Sequence, residues 1–512
     1  MTLTRDSIKW AIDFVADHSD GDLFPKIKEI EAISAMTDFF INSVENKDLS
    51  SFAPKPNRRF IVPKDEKSYR QATQLHPQDS LLLSALVYQY GEQIEKRRLK
   101  KDQIYSYRFS PTSKDGLYCN NTSWSEFWNK ADLLAQQCDT ILYADIADFY
   151  NQIYHHTVEN QLIESGLPNQ AIKWIISLLE STTVGVSRGI PIGPHAIHLI
   201  AEATLIPVDN SLMASGLNFI RYADDIIVFC SSEKDAKKSL SLMATTLDRQ
   251  QRLMLQRHKT EIYQPNDFRV VCKGMIDDRP IDRNEEKLLS VIQKYTKGNP
   301  YETISYKAIS SKDWNLFTEK ITSKIIDEYL SKKNVDYIRL RWFYRRLTQV
   351  GHPGALTISL ERLEQLSPCL ANVCTYIASL QNISNEDWKT IGSKLLGLLD
   401  EEEIKENEFF RLSILSLFTR NPYINHFSKL AKAFSQSDSF ARREILLSAY
   451  ENGAVDWIRE HKESCENMDP WQRMALIYCS SKFPKDERKF FINRFKFSGP
   501  FEETLAKWAK TL

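Results

Sequence analysis

The sequence of 512 residues predicts an α+β domain followed by an all-α domain of helical repeats, and three observations support this division. Apolar, strand-like runs separated by turn residues are concentrated before about Lys297. Beyond that point Gly and strand-like runs become rare, and amphipathic helical patterns alternate with short polar breaks. A short sequence pattern then recurs in the last third of the chain.

The recurring pattern is an aromatic residue followed two positions later by Arg, at the start of a helix-like segment. It occurs 31 residues apart at Phe409-Phe-Arg411, Phe440-Ala-Arg442 and Trp471-Gln-Arg473, and Tyr337-Ile-Arg339 begins a similar segment earlier. A period of this size is typical of a helix-turn-helix unit whose apolar face is buried by stacking on its neighbours. We therefore predict a HEAT-like α-solenoid, with an irregular helical bundle as the alternative.

The segment Arg221-Tyr-Ala-Asp-Asp-Ile-Ile-Val-Phe-Cys230 predicts two adjacent carboxylates at the tip of an apolar hairpin. Residues 218–222 and 226–229 are rich in β-branched and aromatic side chains and are predicted to be strands. Asp224 and Asp225 then fall in the turn between them. Acidic residues are ordinary in turns, so this triplet alone describes a solvated loop equally well.

A second acidic segment lies upstream, where the strand-like run from Thr140 ends at Asp145. A lone carboxylate at the end of a buried strand is expensive to desolvate, so it should be paired or should bind a metal ion. Oxygen ligands favour hard cations such as Mg²⁺. If Asp145 and Asp224 converge, they can hold two Mg²⁺ ions about 4 Å apart, which activates a hydroxyl and stabilises a leaving pyrophosphate.

At these residues the chain resembles the reverse transcriptases. Asp145-Ile-Ala-Asp-Phe-Tyr150 is similar to the first palm motif of that family, and Tyr222-Ala-Asp-Asp225 is similar to its YxDD motif. Between them, Ser187-Arg-Gly-Ile-Pro-Ile-Gly-Pro194 resembles the template-grip segment, and His258-Lys259-Thr260 resembles the lysine motif. The family order of these four motifs implies a right-hand polymerase core with fingers and palm.

The resemblance divides the chain into three parts: an N-terminal segment and fingers (1–135), a palm with the catalytic aspartates (136–296) and the α-helical repeat domain (297–512). Ser19-Asp-Gly-Asp-Leu-Phe-Pro25 and the helical tail are most similar to the abortive-infection branch of the family, which is found in bacteria and phages.

The resemblance also implies catalytic roles. Asp145, Asp224 and Asp225 would bind the metal ions, with Mg²⁺ expected and Mn²⁺ as an alternative. Lys259 would protonate or stabilise the departing pyrophosphate. The alternative for Lys259 is an ordinary surface lysine.

Substrate contacts are expected directly after Asp145. The backbone of Ile146, Ala147, Asp148 and Phe149 would approach the triphosphate. Tyr150 stands where the family implies a steric gate against a ribose 2′-hydroxyl. We therefore expect that a small residue in place of Tyr150 would admit ribonucleotides.

Two arginines and a glycine complete the expected substrate site. Arg108 follows a basic helix end and resembles the fingers Arg that meets the triphosphate, although such runs are often solvated helix ends. Arg188 replaces the Gln of many reverse transcriptases and could pair with phosphate. Gly189 suits a tight loop close to substrate, with a plain turn as the alternative.

The charge balance limits the function classes. Lys plus Arg and Asp plus Glu number 67 each, and the pI is about 7.1. A protein that tracks a long duplex would normally be more basic, so processive copying of a long template is not favoured. One stretch, Arg339 to Arg346, combines Arg with aromatic residues that could stack on bases and pair with phosphate. A helix buried on one face gives the same letters.

Other compositional features predict a cytoplasmic protein without a membrane segment. The eight Cys include no CxxC pair and indicate free thiols in a reducing compartment rather than a zinc site. No apolar run reaches membrane-spanning length, and the N-terminus lacks a signal pattern.

The resemblance to the abortive-infection branch implies polymerisation of dNTPs into single-stranded DNA without a template, primed from a protein hydroxyl, in antiphage defence. A Tyr would carry the covalently attached product, and Tyr105 and Tyr107 are candidates near the expected site. A homo-oligomer is also expected. Two alternatives stay open: an RNA-templated reverse transcriptase of the retron or intron type, and a non-catalytic scaffold that binds a partner through the solenoid.

Overall fold

The computed structural model describes residues 2–512 except residues 22, 113–115, 119–122, 277–278, 297–302 and 425. Its N-terminal part combines helices with the antiparallel hairpins β1–β2 and β3–β4. The elements are α1 (Arg5–His18), α2 (Ile30–Ala35), α3 (Thr37–Val44), β1 (Arg58–Pro63), β2 (Tyr69–Gln74), α4 (Pro77–Glu95), β3 (Phe109–Thr112), β4 (Gly116–Tyr118) and α5 (Ser123–Ala135).

The next part contains a four-stranded sheet in the order β6-β7-β5-β8, in which neighbouring strands are antiparallel. Its elements are β5 (Thr140–Asp145), α6 (Phe149–Gln152), α7 (His155–Glu164), α8 (Asn169–Thr182), α9 (Ile197–Ala214), β6 (Phe219–Tyr222), β7 (Asp225–Cys230), α10 (Glu233–Gln251), a 3-10 turn (Arg257–Lys259), β8 (Glu261–Tyr263) and α11 (Pro265–Ile276). The predicted hairpin strands are thus present, and Asp225 begins the second of them.

The two central strands, β5 and β7, are buried on both faces because apolar residues occupy successive positions. Leu142 and Val228 belong to the large core that includes α9 and α10. Ile141 and Phe229, one position away, pack with α5 and α11 on the other face. Side chains alternate across a strand, so helices on both faces fix the register of this sheet.

The remainder of the described chain is helical, as predicted. Its helices are α12 (Arg283–Thr296), α13 (Ser311–Trp314), α14 (Glu319–Leu330), α15 (Tyr337–Val350), α16 (Leu356–Glu361), α17 (Leu370–Ser379), α18 (Asn385–Leu398), α19 (Glu402–Glu406), α20 (Glu408–Phe418), α21 (Phe427–Ala433), α22 (Ser439–Glu451), α23 (Val455–Glu460), α24 (Pro470–Cys479), α25 (Lys485–Arg494) and α26 (Pro500–Thr511). Helices α15, α17, α20, α22, α24 and α26 pack in that order, each against the next.

The predicted repeat corresponds to the starts of α20, α22 and α24. Each of these helices is capped by a side chain that accepts hydrogen bonds from its first turn: Asn407, Asp438 and Asp469, again 31 residues apart. The repeated aromatic residue follows within two positions of the cap. An α-helical repeat domain is therefore confirmed.

The end of the helical part packs back onto the beginning of the chain. Helix α26 contacts α2 and α3, and Arg443 of α22 pairs with the buried Glu29 at 2.6 Å. The N-terminal helices and α24 to α26 consequently share one core. Helix α12, which the sequence assigned to the palm, packs with the helical core through Leu288 and Ile292.

None of the helices in the described ranges is long and apolar enough to cross a membrane. The seven cysteines that these ranges contain have free thiols.

Candidate active site

Three carboxylates meet at the ends of the two central strands. Asp145, the last residue of β5, has Asp225, the first residue of β7, as its direct cross-strand partner. Asp224 precedes Asp225 in the turn, and its carbonyl oxygen accepts a hydrogen bond from the Ile146 N–H at 3.0 Å. Ala223 has a left-handed backbone (φ 51°), which lets the chain reverse direction within this short turn. The structure thus brings together the three aspartates that the sequence singled out.

Burial and the neighbouring negative charges raise the proton affinity of Asp224 and Asp225. Burial, followed by the charge of Asp145, raises the pKa of Asp224 to about 6. Burial, followed by the charge of Asp224, raises the pKa of Asp225 to about 7, although the Tyr143 hydroxyl donates a hydrogen bond to it at 2.6 Å. Asp145 itself is only 4% exposed. Such crowding of like charges in a partly buried place is unfavourable without a cation.

Lys259 supplies one positive charge to this cluster. Its Nζ donates a hydrogen bond to Asp145 Oδ2 at 2.6 Å, from the short 3-10 turn after α10. Burial alone would lower the pKa of Lys259, but the hydrogen bond to Asp145 and the charges of the carboxylates raise it above its usual value. The side chain is still 58% exposed, so this pair is open to substrate.

The donor set fits hard divalent cations in part. Within the described residues, no three His, Cys, Asp or Glu side chains are already spaced as a complete metal cage. Mg²⁺, however, usually takes one or two carboxylates and completes its shell with water and substrate phosphates. Asp145 and Asp225, which face each other across the strands, and the adjacent Asp224 offer carboxylates of this kind. When bound, such ions would supply positive charge to the reacting phosphate groups.

A buried network of alternating charges lies directly behind the hairpin. Arg221 donates to Asp209 Oδ2 at 2.6 Å, to Glu202 Oε2 at 2.9 Å and to the carbonyl oxygen of Ala223 at 2.8 Å. Arg98 donates to the same Glu202 Oε2 at 2.7 Å and to the carbonyl oxygen of Tyr107 at 2.9 Å. This network joins the fingers to the residue before Asp224. The sequence analysis missed it.

Tyr150 belongs to an aromatic cluster next to the carboxylates. Its hydroxyl lies 2.6 Å from His198 Nδ1, and the ring of Tyr107 stacks on His198 at 4.1 Å between centroids. Burial lowers the pKa of His198 to about 4, so its imidazole is neutral at neutral pH. Burial and then the neighbouring phenols raise the pKa of both tyrosines, and the charge of Asp224 adds to this effect. His198 had no recognisable signal in the sequence.

The backbone that was expected to approach the triphosphate is partly engaged within the protein. The N–H of Ile146 donates to Asp224, and the N–H of Ala147 donates to the carbonyl oxygen of Met254 at 2.8 Å. Asp148 has a left-handed backbone (φ 49°) and precedes α6, which Phe149 and Tyr150 begin. A triphosphate contact would therefore fall to the chain from Asp148 onward.

The loop with Arg188 and Gly189 runs beside α6 in the opposite direction. Gly189 has φ 99°, and its N–H donates to the carbonyl oxygen of Ile153 at 2.7 Å. The next N–H, of Ile190, donates to the carbonyl oxygen of Tyr150 at 2.9 Å. The Arg188 guanidinium lies over the Tyr154 ring at 5.8 Å. The loop is thus held against the Tyr150 segment, as a substrate-contacting loop requires.

Arg108 is placed differently from the expectation. It is 9% exposed, pairs with Glu95 at 2.5 Å and donates to the carbonyl oxygen of Leu99 at 2.9 Å. Burial lowers its pKa, and the charge of Arg98 adds to this effect. In this arrangement Arg108 holds the basic end of the fingers helix together. A contact with a triphosphate would require this ion pair to open.

Comparison with known proteins places the site in a family. Residues 62–297 match the family model described as reverse transcriptase (RNA-dependent DNA polymerase), a range that contains all three aspartates and Lys259. No curated protein matches the chain.

Two solved structures share low similarity with it. One is apo telomerase from Candida tropicalis, at 10% identity and TM-score 0.34, over 75% of this chain and 74% of that one. The other is telomerase from Candida albicans with a TWJ fragment of telomeric RNA, at 12% identity and TM-score 0.31, over 81% of this chain and 70% of that one. The family match covers the carboxylate cluster and its surroundings, so residues 62–297 are similar to a reverse transcriptase domain.

Proposed function

We propose that this chain is a DNA polymerase that joins dNTPs at Asp145, Asp224 and Asp225, with two Mg²⁺ ions, or Mn²⁺ in their place, held by these residues. The observation that carries the proposal is the direct pairing of Asp145 with Asp225 across β5 and β7, next to Asp224. Clustered carboxylates with raised pKa values are costly for folding. A cation shared with substrate phosphates relieves that cost.

The surrounding residues support roles in nucleotide binding. Lys259 reaches Asp145 from the exposed side and is positioned to stabilise a departing pyrophosphate. Tyr150, fixed by His198, would act as the gate against ribonucleotides. Ile146, Ala147, Asp148, Phe149, Arg188 and Gly189 would line the nucleotide, whereas Arg108 would take part only after release from Glu95.

We further propose that synthesis is template-independent and protein-primed, as in the abortive-infection branch, and serves antiphage defence in the cytoplasm as a homo-oligomer. The neutral net charge supports this over processive copying of a long template. The helical-repeat domain after the polymerase core also supports it. Of the two candidate primers, Tyr107 lies in the cluster with His198 beside the site, whereas Tyr105 is only 6% exposed.

The deciding experiment supplies purified protein with each dNTP and Mg²⁺ in the absence of template. We expect a labelled conjugate of protein and DNA. Treatment with a protease alone or with a DNase alone should each abolish this conjugate. Product free of protein would rule out protein priming. Product whose sequence follows a copurifying RNA would identify a templated enzyme.

A matched variant separates catalysis from scaffolding. Asp224→Asn with Asp225→Asn keeps the shape of both side chains and removes their charges. We expect it to lose both DNA synthesis and protection against phage in cells. Protection that persists in this variant would favour the non-catalytic scaffold.

A further inference from the structure

A second charged feature lies away from the carboxylates, in a cleft of about 290 Å³. Its walls come from the segment before α2, from the hairpin β1–β2, and from α15, α17 and α20. Five of its lining side chains are cationic, and none of the described lining residues is acidic. These five residues, which we call the basic cleft, are Lys26, Arg70, Arg341, Arg345 and Arg420.

None of the guanidinium groups of the basic cleft forms a direct ion pair with a carboxylate of the described residues, although Asp65 and Glu444 interact electrostatically with Arg341 and Arg420. Arg341 donates to the carbonyl oxygens of Lys64 and Tyr337, and Arg420 donates weakly to that of Lys26 at 3.4 Å. Nε of Arg70 is buried and meets no acceptor in the described part of the chain. Asp22, a sequence neighbour of the lining residues Gly21 and Leu23, lies outside the described residues.

This arrangement contrasts with that of two buried arginines elsewhere in the protein. Arg443 pairs with Glu29 and Glu444, and Arg221 pairs with Glu202 and Asp209. In the basic cleft, burial and then the charges of Arg341 and Arg345 lower the pKa of Arg70. Like charges gathered without a directly paired carboxylate favour binding of an anionic ligand.

The cleft also explains the aromatic and basic stretch of the sequence. The arginines of this stretch lie on two different surfaces of α15. Arg341 and Arg345, four residues apart and therefore neighbours on the helix, face the cleft. Arg339 and Arg346 lie over the ring of Trp342, at 4.8 and 4.9 Å. Phosphate binding, one of the two interpretations of this stretch, therefore concerns Arg341 and Arg345, whereas Arg339 and Arg346 pack on an aromatic ring of the helix itself.

One loop connects the cleft to the nucleotide site. The loop that holds Gly189 continues to Ile192 and Gly193, and the carbonyl oxygen of Ile192 accepts a hydrogen bond from the Thr73 N–H of β2 at 2.8 Å. Gly193 also lies close to the lining residue Gly21. A Cβ atom added to Gly21 would collide with the carbonyl oxygen of Gly193. The other end of the same loop bonds to Tyr150. This loop therefore contacts both the Tyr150 segment and the wall of the basic cleft.

We propose that the basic cleft binds the phosphate backbone of a single nucleic acid strand, namely the DNA that the polymerase makes. Spaced arginines match successive phosphates, and the ring of Phe24 provides an apolar wall. A cleft of about 290 Å³ is too small to enclose a duplex. The identity of the strand as DNA rests on the proposed function, whereas the binding of a strand does not.

The test measures binding of an added strand to full-length protein that carries Asp224→Asn, so that no product is made. The probe is a fluorescein-labelled oligo(dT) of about 12 nucleotides, within the range of known single-strand sites, and anisotropy is recorded over a series of salt concentrations. Arg70→Gln with Arg345→Gln should weaken binding about tenfold and reduce the slope of log K against log salt by about 0.7 for each lost contact.

The control is Arg362→Gln with Arg494→Gln. It removes the same charge from half-exposed arginines outside the cleft and should leave affinity and slope unchanged. If the cleft variant unfolds, hydrogen exchange on the Asp224→Asn protein tests the same point. Added oligo(dT) should then protect residues 18–26 and β2.

The outcomes separate the possible ligands. An unchanged salt slope in the folded cleft variant, or no protection on adding DNA, overturns the proposal. Equal loss of duplex and oligo(dT) binding, or loss of dNTP binding alone, overturns it as well. Oligo(rU) that binds more tightly than oligo(dT) assigns the cleft to an RNA strand and overturns its assignment to the DNA product. The two cleft substitutions are also placed in the protein with native Asp224. Loss of strand binding in the Asp224→Asn background, together with intact template-free synthesis in the native background, upholds the cleft independently of the polymerase.

Discussion

The carboxylate cluster and the ion network behind it contain similar residues but differ in charge balance. In the network, Arg98 and Arg221 alternate with Glu202 and Asp209, and each charge has at least one partner of opposite sign. At the hairpin tip only a few residues away, three carboxylates share one exposed lysine. The same fold therefore balances charges in the network and leaves them unbalanced where we propose that a cation and a nucleotide bind.

The largest expected effect breaks the cluster. Asp224→Asn with Asp225→Asn should reduce dNTP incorporation to background, measured with labelled dNTP and Mg²⁺. Because repulsion at the tip is removed, the free energy of unfolding should not fall. The exposed carboxylate of Asp267 on α11 provides a control, and Asp267→Asn should retain incorporation. A large loss of stability in the double variant would contradict the interpretation that the charges of the cluster, unlike those of the network, are unbalanced.

The next effect breaks the network. Glu202→Gln leaves Arg98 and Arg221 short of a buried partner, and the free energy of unfolding should fall by about 3–5 kcal/mol. Denaturant unfolding measures this change. Glu233→Gln removes a carboxylate from the exposed pair with Lys237 on α10 and should cause no measurable loss, since exposed pairs contribute little.

The pH dependence of stability compares the two regions in one experiment. The folded-state pKa values of Asp224 and Asp225, about 6 and about 7, lie above the unfolded value of 3.8. The folded state therefore binds more protons in this window, and the unfolding free energy should fall as pH rises from 4 to 7. Because one unit of pKa shift corresponds to about 1.4 kcal/mol, the fall attributable to this pair should be on the order of 5 kcal/mol.

The same measurement on Asp224→Asn with Asp225→Asn isolates that contribution. Asp20 and Asp79 also have raised pKa values because of burial, about 7 and about 8. They are present in both proteins and cancel in the difference. Identical slopes in the two proteins would mean that the cluster is not strained by its charges.

The smallest effect on stability concerns Lys259. The Lys259 side chain is 58% exposed in its pair with the buried Asp145, so Lys259→Gln should change the unfolding free energy by less than about 1 kcal/mol. Its charge lowers the pKa of Asp224 and Asp225. Without it, the acidic limb of the incorporation profile should move to higher pH, whereas Lys259→Arg should restore the limb. An unmoved limb would leave Lys259 without an electrostatic role.

Sequence patterns predicted the features that depend on short segments. The approach of Asp145, Asp224 and Asp225 follows from two apolar strands that both carry acid at one end. The helical repeat follows from its 31-residue period, which the capping residues Asn407 and Asp438 repeat. These features can be predicted because their physical causes, the alternation of side chains along a strand and the capping of a helix, depend on residues close together in sequence.

What the sequence did not predict depends on partners chosen by the tertiary fold. Arg98 and Arg108 belong to one basic segment and both pair with Glu95, yet Arg98 forms a further ion pair with Glu202. No local rule distinguishes the two. A weak signal did exist for Glu202 and Asp209, because acidic residues seven positions apart on an otherwise apolar helix are expensive unless paired.

The repeated aromatics of the helical half also contact a single strand of the fingers. Phe60 packs edge-on against Phe440, with 5.5 Å between ring centroids. Arg58 lies over both Phe440 and Trp471. The indole N–H of Trp471 donates to the carbonyl oxygen of Pro56 at 2.8 Å.

These contacts involve every second residue of the extended segment from Pro56 to Phe60. One inserted residue would turn the exposed Arg59 and Ile61 toward the helices and displace all the inward side chains together. The contacts between this segment and the helices therefore form together or are lost together. Any opening of the fingers has to carry the starts of α22 and α24 along with it.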